Sequence, residues 1–170
     1  MCNRVPDASN NAWVTYFNQP KQTTMQPGEC WYLHLEESAH TSTPLVLTCN
    51  EPGRENPCTV DQWLKDDKTQ QFTWDESTRA ITNRKATGKF LNTDGEKVWL
   101  GNVQRTKWWY EQTTHTLETD VTGTHNTQWR IGVAQVRKWN PVTVTPYTGT
   151  PKQSVDALQN WRIEYCYKNK

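Results

Sequence analysis

Three strand-like phrases recur along the chain, and their recurrence limits the fold more than any other feature. "PLVLTCN" (44–50), "KVWLGN" (97–102) and "PVTVTPY" (141–147) each come before a polar stretch ending in an aromatic-centred strand: "QQFTWD" (70–75), "KWWYE" (107–111) and "QNWRIEY" (159–165). Each also has an earlier partner: "GECWYLHLEE" (28–37), "TGKFLN" (87–92) and "NTQWRIGV" (126–133). Apolar positions alternate within these words and the words break at Gly, Pro, Asn and Asp, the pattern of strands and tight turns. One segment, "TVDQWLKDDKTQ", has a helix-like start, but Val60, Trp63 and Leu64 exhaust its apolar positions, so a short helix or turn is expected there.

Composition points the same way. Ten Trp and 25 Thr stand against few Ile and Leu in 170 residues, and both of the abundant types favour strands. A buried Trp also brings an N–H that needs an acceptor. The sequence therefore predicts one all-β domain over residues 1–170 with little helix. A unit of about four strands used three times is the arrangement of a β-trefoil, a short closed barrel capped by hairpins, and closure removes the sheet edges that invite aggregation. The repeats are expected at roughly residues 10–75, 76–111 and 112–166. A lipocalin-like barrel would also accept this strand pattern but leaves the triple phrase without a reason.

Charge and sorting signals narrow the partners. Nineteen Lys+Arg against 18 Asp+Glu give a net charge of +1, which argues against nucleic acid as a partner. No apolar run reaches the 18 or so residues of a membrane span, so membrane insertion is not expected. The start, "MCNRVPDASNNAW", has no signal-peptide h-region, and no Asn-x-Ser/Thr sequon occurs, which suits either a mature secreted chain or a cytosolic protein made without a signal. Five cysteines (Cys2, Cys30, Cys49, Cys58 and Cys166) leave at least one outside any intrachain pair. Cys49–Cys58 would staple the Pro/Gly-rich loop "CNEPGRENPC", whereas Cys30–Cys49 would join two strands.

The run "TQQFTWDESTRAITN" (69–83) followed by "ATGKFLNTDGEKVWLGN" (86–102) resembles the repeat of ricin-type, or R-type, β-trefoil lectins, in which a Gln-x-Trp strand leads through an Ile-x-Asn turn to a Gly-Lys-x-Leu strand. The likeness is closest over residues 69–111 and looser over 28–75 and 126–166, and it is similar to that of fungal lectins with degenerate repeats. Gln-x-Trp is complete at Gln159-Asn160-Trp161; the other repeats read Gln70-Gln71-Phe72 and Lys107-Trp108-Trp109. The resemblance implies a lectin whose partners are glycans or glycoproteins, and it implies a Cys30–Cys49 pairing.

A neutral saccharide needs planar groups that donate and accept, plus a flat ring for its C–H face. Asn92, Asp94, Trp99 and Asn102 from the middle repeat, with Trp139 and Tyr147 from the third, are the expected carbohydrate-binding residues. Asn92 stands where such lectins carry an acid, and Asn-Thr-Asp-Gly also reads simply as a tight turn. Trp108, Trp109 and Trp161 are expected in the core. The alternative function is a protease inhibitor that inserts the 49–58 loop, with Arg54, Glu55 and Asn56 at its tip and a protease as partner; a homodimer is compatible with either reading. No catalysis, cofactor or metal is expected: His34, His40, His115 and His125 lack ligand spacing, Cys30 and His34 lack an orienting third group, and Glu36 and Glu37 face opposite ways in a strand.

Overall fold

The computed structural model describes residues 25, 28–38, 41–119, 128–147 and 158–166. Cys2, His40 and His125 lie outside them. The strands are β1 (Trp31–Leu35), β2 (Leu45–Thr48), β3 (Thr59–Gln62), β4 (Phe72–Asp75), β5 (Ala80–Asn83), β6 (Phe90–Thr93), β7 (Val98–Gly101), β8 (Trp108–Glu111), β9 (Thr116–Thr119), β10 (Gln128–Val133), β11 (Val142–Tyr147) and β12 (Trp161–Tyr165). The helix considered around residues 59–70 reduces to one 3-10 turn, Lys68–Gln70, capped by Asp67 accepting from the Thr69 amide. Asp61 and Gln62, at the helix-like start of that segment, belong to β3.

The protein is all-β, with two sheets. One runs β3-β2-β1-β4-β5-β6-β7, with β12 paired to β1; the other runs β11-β10-β9-β8. Main-chain hydrogen bonds join them, from the Trp108 amide to the Arg79 carbonyl (2.9 Å), from the Trp161 amide to the His115 carbonyl (2.7 Å) and from the Val142 amide to the Cys58 carbonyl (3.0 Å), with isolated bridges between Thr59 and Pro141 and between Lys97 and Thr143.

The pairing repeats in one register. Phe72 opposes Asn83, Trp108 opposes Thr119 and Trp161 opposes Leu35; two residues further on, Trp74 opposes Ile81, Tyr110 opposes Leu117 and Ile163 opposes Leu33. Three hairpins follow suit, with Leu47 against Val60, Leu91 against Leu100 and Ile131 against Val144. Phe72, Trp108 and Trp161 are fully buried. The two indoles donate to equivalent carbonyls, Trp108 to Leu91 (2.9 Å) and Trp161 to Ile131 (3.0 Å). Phenylalanine in the remaining position has no N–H to place. Trp109 departs from the core expectation: it is half-buried and its indole donates to the Glu118 carboxylate at 3.1 Å.

This register moves the first phrase of the sequence reading by one strand. "PLVLTCN" is β2, the counterpart of β6 and β10, whereas "KVWLGN" and "PVTVTPY" are β7 and β11 and correspond to β3. β3 reads "TVDQ", with Val60 its one buried residue, so its apolar alternation is too weak to mark it.

The disulfides correct the pairing taken from the resemblance. Cys30 bonds Cys166 and Cys49 bonds Cys58. Cys30 sits instead at the start of β1 beside the end of β12, where the Cys166 amide also donates to the Cys30 carbonyl (2.8 Å). In the registers above, Cys30 and Cys166 fall where β4–β5 and β8–β9 have the tight turns 76–79 and 112–115. The bond closes a connection that the chain makes covalently in the other two places.

Candidate functional site

Of the sequence-selected residues, Asp94 and Trp139 fall in the β6–β7 and β10–β11 turns, whereas Asn92 and Trp99 lie within β6 and β7, Asn102 follows β7 and Tyr147 ends β11. The β6–β7 turn is built by Asp94, whose Oδ1 accepts the amides of Glu96 (2.9 Å) and Lys97 (3.0 Å), and by Thr93, whose hydroxyl donates to the Lys97 carbonyl (2.7 Å). Gly95 follows at φ 96°, a left-handed backbone that suits glycine. Oδ2 of Asp94 accepts from Arg54 Nε at 2.6 Å, and the same guanidinium reaches Glu96 at 3.5 Å and lies 5.8 Å from the Trp99 ring centre. Burial raises the Asp94 pKa, but the two turn amides and the Arg54 bond and charge outweigh it and hold the carboxyl below its ordinary value. Two sets of residues that the sequence placed in competing functions are therefore one cluster.

Asn92 and Asn102 part company. Asn92 is buried, donates to the Val103 carbonyl (2.9 Å) and accepts the Arg105 amide (2.8 Å), so its amide fastens the loop after β7. Asn102 is exposed, and its Oδ1 accepts from Lys89 Nζ. Trp99 is half-exposed beside Gly101, where a Cβ would sit 3.4 Å from the indole nitrogen.

Trp139 is presented differently. It is 66% exposed, its backbone is left-handed at φ 68°, and its amide donates to the Val60 carbonyl at 2.6 Å. Lys138 Nζ lies 4.9 Å from the ring centre, a cation–π contact on one face. Tyr147 ends β11, and its side chain lies outside the described residues.

The 49–58 loop is held close to the hairpins. Besides the disulfide, the Gly53 amide donates to the Leu100 carbonyl (2.8 Å), the Cys58 amide to that of Val98 (2.8 Å) and the Asn56 amide to that of Gly53 (2.9 Å). Arg54 is committed to Asp94 and Glu96, the exposed Glu55 folds its carboxylate against Gly53, and the Asn56 side chain donates to the Pro52 carbonyl (2.9 Å).

Sequence reasoning missed Lys138 and Glu96, the charged neighbours of the selected residues. It also missed a cleft of about 840 Å³ whose lining includes Tyr32, Trp63, Lys65, Asp66, Lys68 and Arg84. The signal is the charged run "LKDDK" between β3 and β4, which carries no strand or motif pattern.

No family model and no curated protein sequence matches the chain. Solved structures do. The solution structure of the mdaA-1 domain superposes with a TM-score of 0.60 at 11% identity, covering 85% of this chain and 94% of that one. A structure of a mosquitocidal holotoxin gives a TM-score of 0.57 at 11% identity, covering 82% of this chain and 17% of the toxin. At such identity the likeness is one of fold, and the chain spans about one sixth of the toxin's length.

Proposed function

We propose that this chain is a β-trefoil and that it binds carbohydrate through aromatic residues carried on its hairpin ends. The thrice-used pairing register supports the trefoil reading. The observation that carries the binding reading is Trp139. A left-handed backbone in a bulky residue costs roughly 1–3 kcal/mol, and such strain collects at functional positions. Here that conformation holds the largest apolar side chain in solvent rather than in the core. A saccharide's C–H face stacks on such a ring, while neighbouring polar groups take its hydroxyls. Trp99, half-exposed, offers a second ring with the Asp94–Arg54 pair beside it.

The reading is of a binder rather than a catalyst. Three carboxylates that could serve as acid or base are engaged internally: Glu164 with His34 (2.7 Å), Glu36 with Arg162 (3.1 Å) and His115 (3.3 Å), and Glu118 with Arg130 (3.0 Å). The inhibitor reading has less support, because the exposed Arg54 guanidinium is already paired with Asp94 and Glu96.

A glycan array on native protein, Trp139→Ala and Trp99→Ala tests the proposal. Selective binding that falls at least about tenfold in one or both variants is expected, the loss of one stacking contact being on the scale of 1.4 kcal/mol. Absence of selective binding by the native protein, or binding indifferent to both substitutions, overturns it.

A further inference from the structure

The cleft between the β3–β4 connection and the Cys30–Cys166 end is rich in donors without acceptors. Tyr32 is 4% exposed and its hydroxyl accepts from the Asp66 amide (3.1 Å) and from Gln71 Nε2 (2.8 Å). The orientation of Gln71 is fixed by Arg84, which has donors alone and gives one to Gln71 Oε1 at 3.0 Å. Tyr32 is therefore an acceptor twice over, and no acceptor for its own hydrogen is found among the described residues. Trp63 stacks edge-on against it, ring centres 5.7 Å apart at 70°, and the Trp63 indole N–H is buried with no partner among the described residues. Leaving a buried donor unmet costs about 1–3 kcal/mol. Lys65 and Lys68, also in the lining, make no ion pair among the described residues.

Acceptors are fewer. Glu164 is buried and given to His34, which leaves the exposed Glu29 and Asp66. A bare inorganic anion would have no use for those carboxylates or for the aromatic wall. A saccharide has hydroxyls to donate to them and a C–H face for the rings, and acidic substituents on it would meet Lys65, Lys68 and Arg84. We infer that this cleft is a second, separate binding site, and that it takes an oligosaccharide bearing carboxylate or sulfate groups.

Calorimetric titration of the whole chain with a galacturonate tetrasaccharide, a sulfated galactose tetrasaccharide and neutral galactose tetrasaccharide tests the inference. One or both acidic probes should bind, and the carboxylate and sulfate arms show which acid the site takes. The neutral probe should bind at least about tenfold more weakly, and raising the salt from about 0.05 M to about 0.5 M should weaken acidic-probe binding. Lys65→Gln/Lys68→Gln should lower affinity for the acidic probe by about tenfold. Trp63→Phe should lower it while leaving the melting temperature of the free protein unchanged or raised, because the lost N–H has no partner to forfeit. Trp139→Ala should leave the acidic titration unchanged, so the cleft and the hairpin site stand or fall separately. Silence with both acidic probes, equal binding of the neutral one, or native affinity in the cleft variants overturns the inference.

Discussion

Glu118 shows how a polar residue comes to be buried in a strand. It is 2% exposed, and its carboxylate accepts from the Trp109 indole (3.1 Å), the Thr116 hydroxyl (2.7 Å) and Arg130 Nε (3.0 Å). Each bond is charge-assisted and shielded from water, so removing the shared acceptor strands several donors at once. Glu118→Ala should cost about 3–5 kcal/mol in urea unfolding, against about 1 kcal/mol for a typical substitution. Two tyrosines give a further test at this scale. Burial raises the pKa of Tyr110, with the charges of Glu36 and Glu111 adding to it, and its hydroxyl donates to the Trp161 carbonyl at 2.7 Å. Burial also raises that of Tyr32, against the opposing bonds from Asp66 and Gln71. A phenol whose folded pKa lies above its unfolded one stabilises the fold fully below the unfolded value of 10.0 and loses that contribution as pH rises through the folded value. Ultraviolet titration should accordingly find tyrosines that ionise only above the ordinary range, together with alkaline unfolding.

At the scale of elements, the two disulfides should behave differently. By chain entropy alone, the bond spanning 136 residues contributes about 5 kcal/mol and the one spanning 9 about 2.6 kcal/mol. Cys49 and Cys58 are each 1% exposed, whereas Cys30 and Cys166 are half-buried and line the cleft. Mild reductant followed by alkylation and mass spectrometry should therefore label Cys30 and Cys166 first, with the larger fall in melting temperature; first labelling of Cys49 and Cys58 would contradict that order. Elements also set what the sequence could disclose. The aromatic strands β4, β8 and β12 were legible because Phe72, Trp108 and Trp161 fill one repeated core position. β5 and β9 were not, since "AITN" and "TLET" bury Asn83, Thr116, Glu118 and Thr119 through hydrogen bonds that no hydropathy pattern reports. The site was legible in part: Asp94, Trp99 and Trp139 could be picked out as turn and aromatic residues, but the partnership of Arg54 with Asp94 spans forty positions and depends on the fold. Asn92 looked like a ligand group because its partners, Val103 and Arg105, become visible only when the β7–β8 loop closes over it.

For the whole molecule, the two sheets leave an inner and an outer population of tryptophans, and the proposed activity depends on that division. Trp31, Trp108 and Trp161 are fully buried, and the indoles of Trp108 and Trp161 are bound to main-chain carbonyls; Trp99 and Trp139 face outward. The ten tryptophans supply ten indole N–H signals in a nitrogen–proton correlation spectrum, a direct map of which rings meet a ligand. The most direct measurement is that spectrum recorded while a panel of saccharides is added. The account predicts that the Trp139 signal, with or without that of Trp99, shifts in proportion to occupancy while those of Trp108 and Trp161 stay fixed and protected from exchange. Outward indoles that no saccharide moves, or shifts confined to the buried ones, would contradict it.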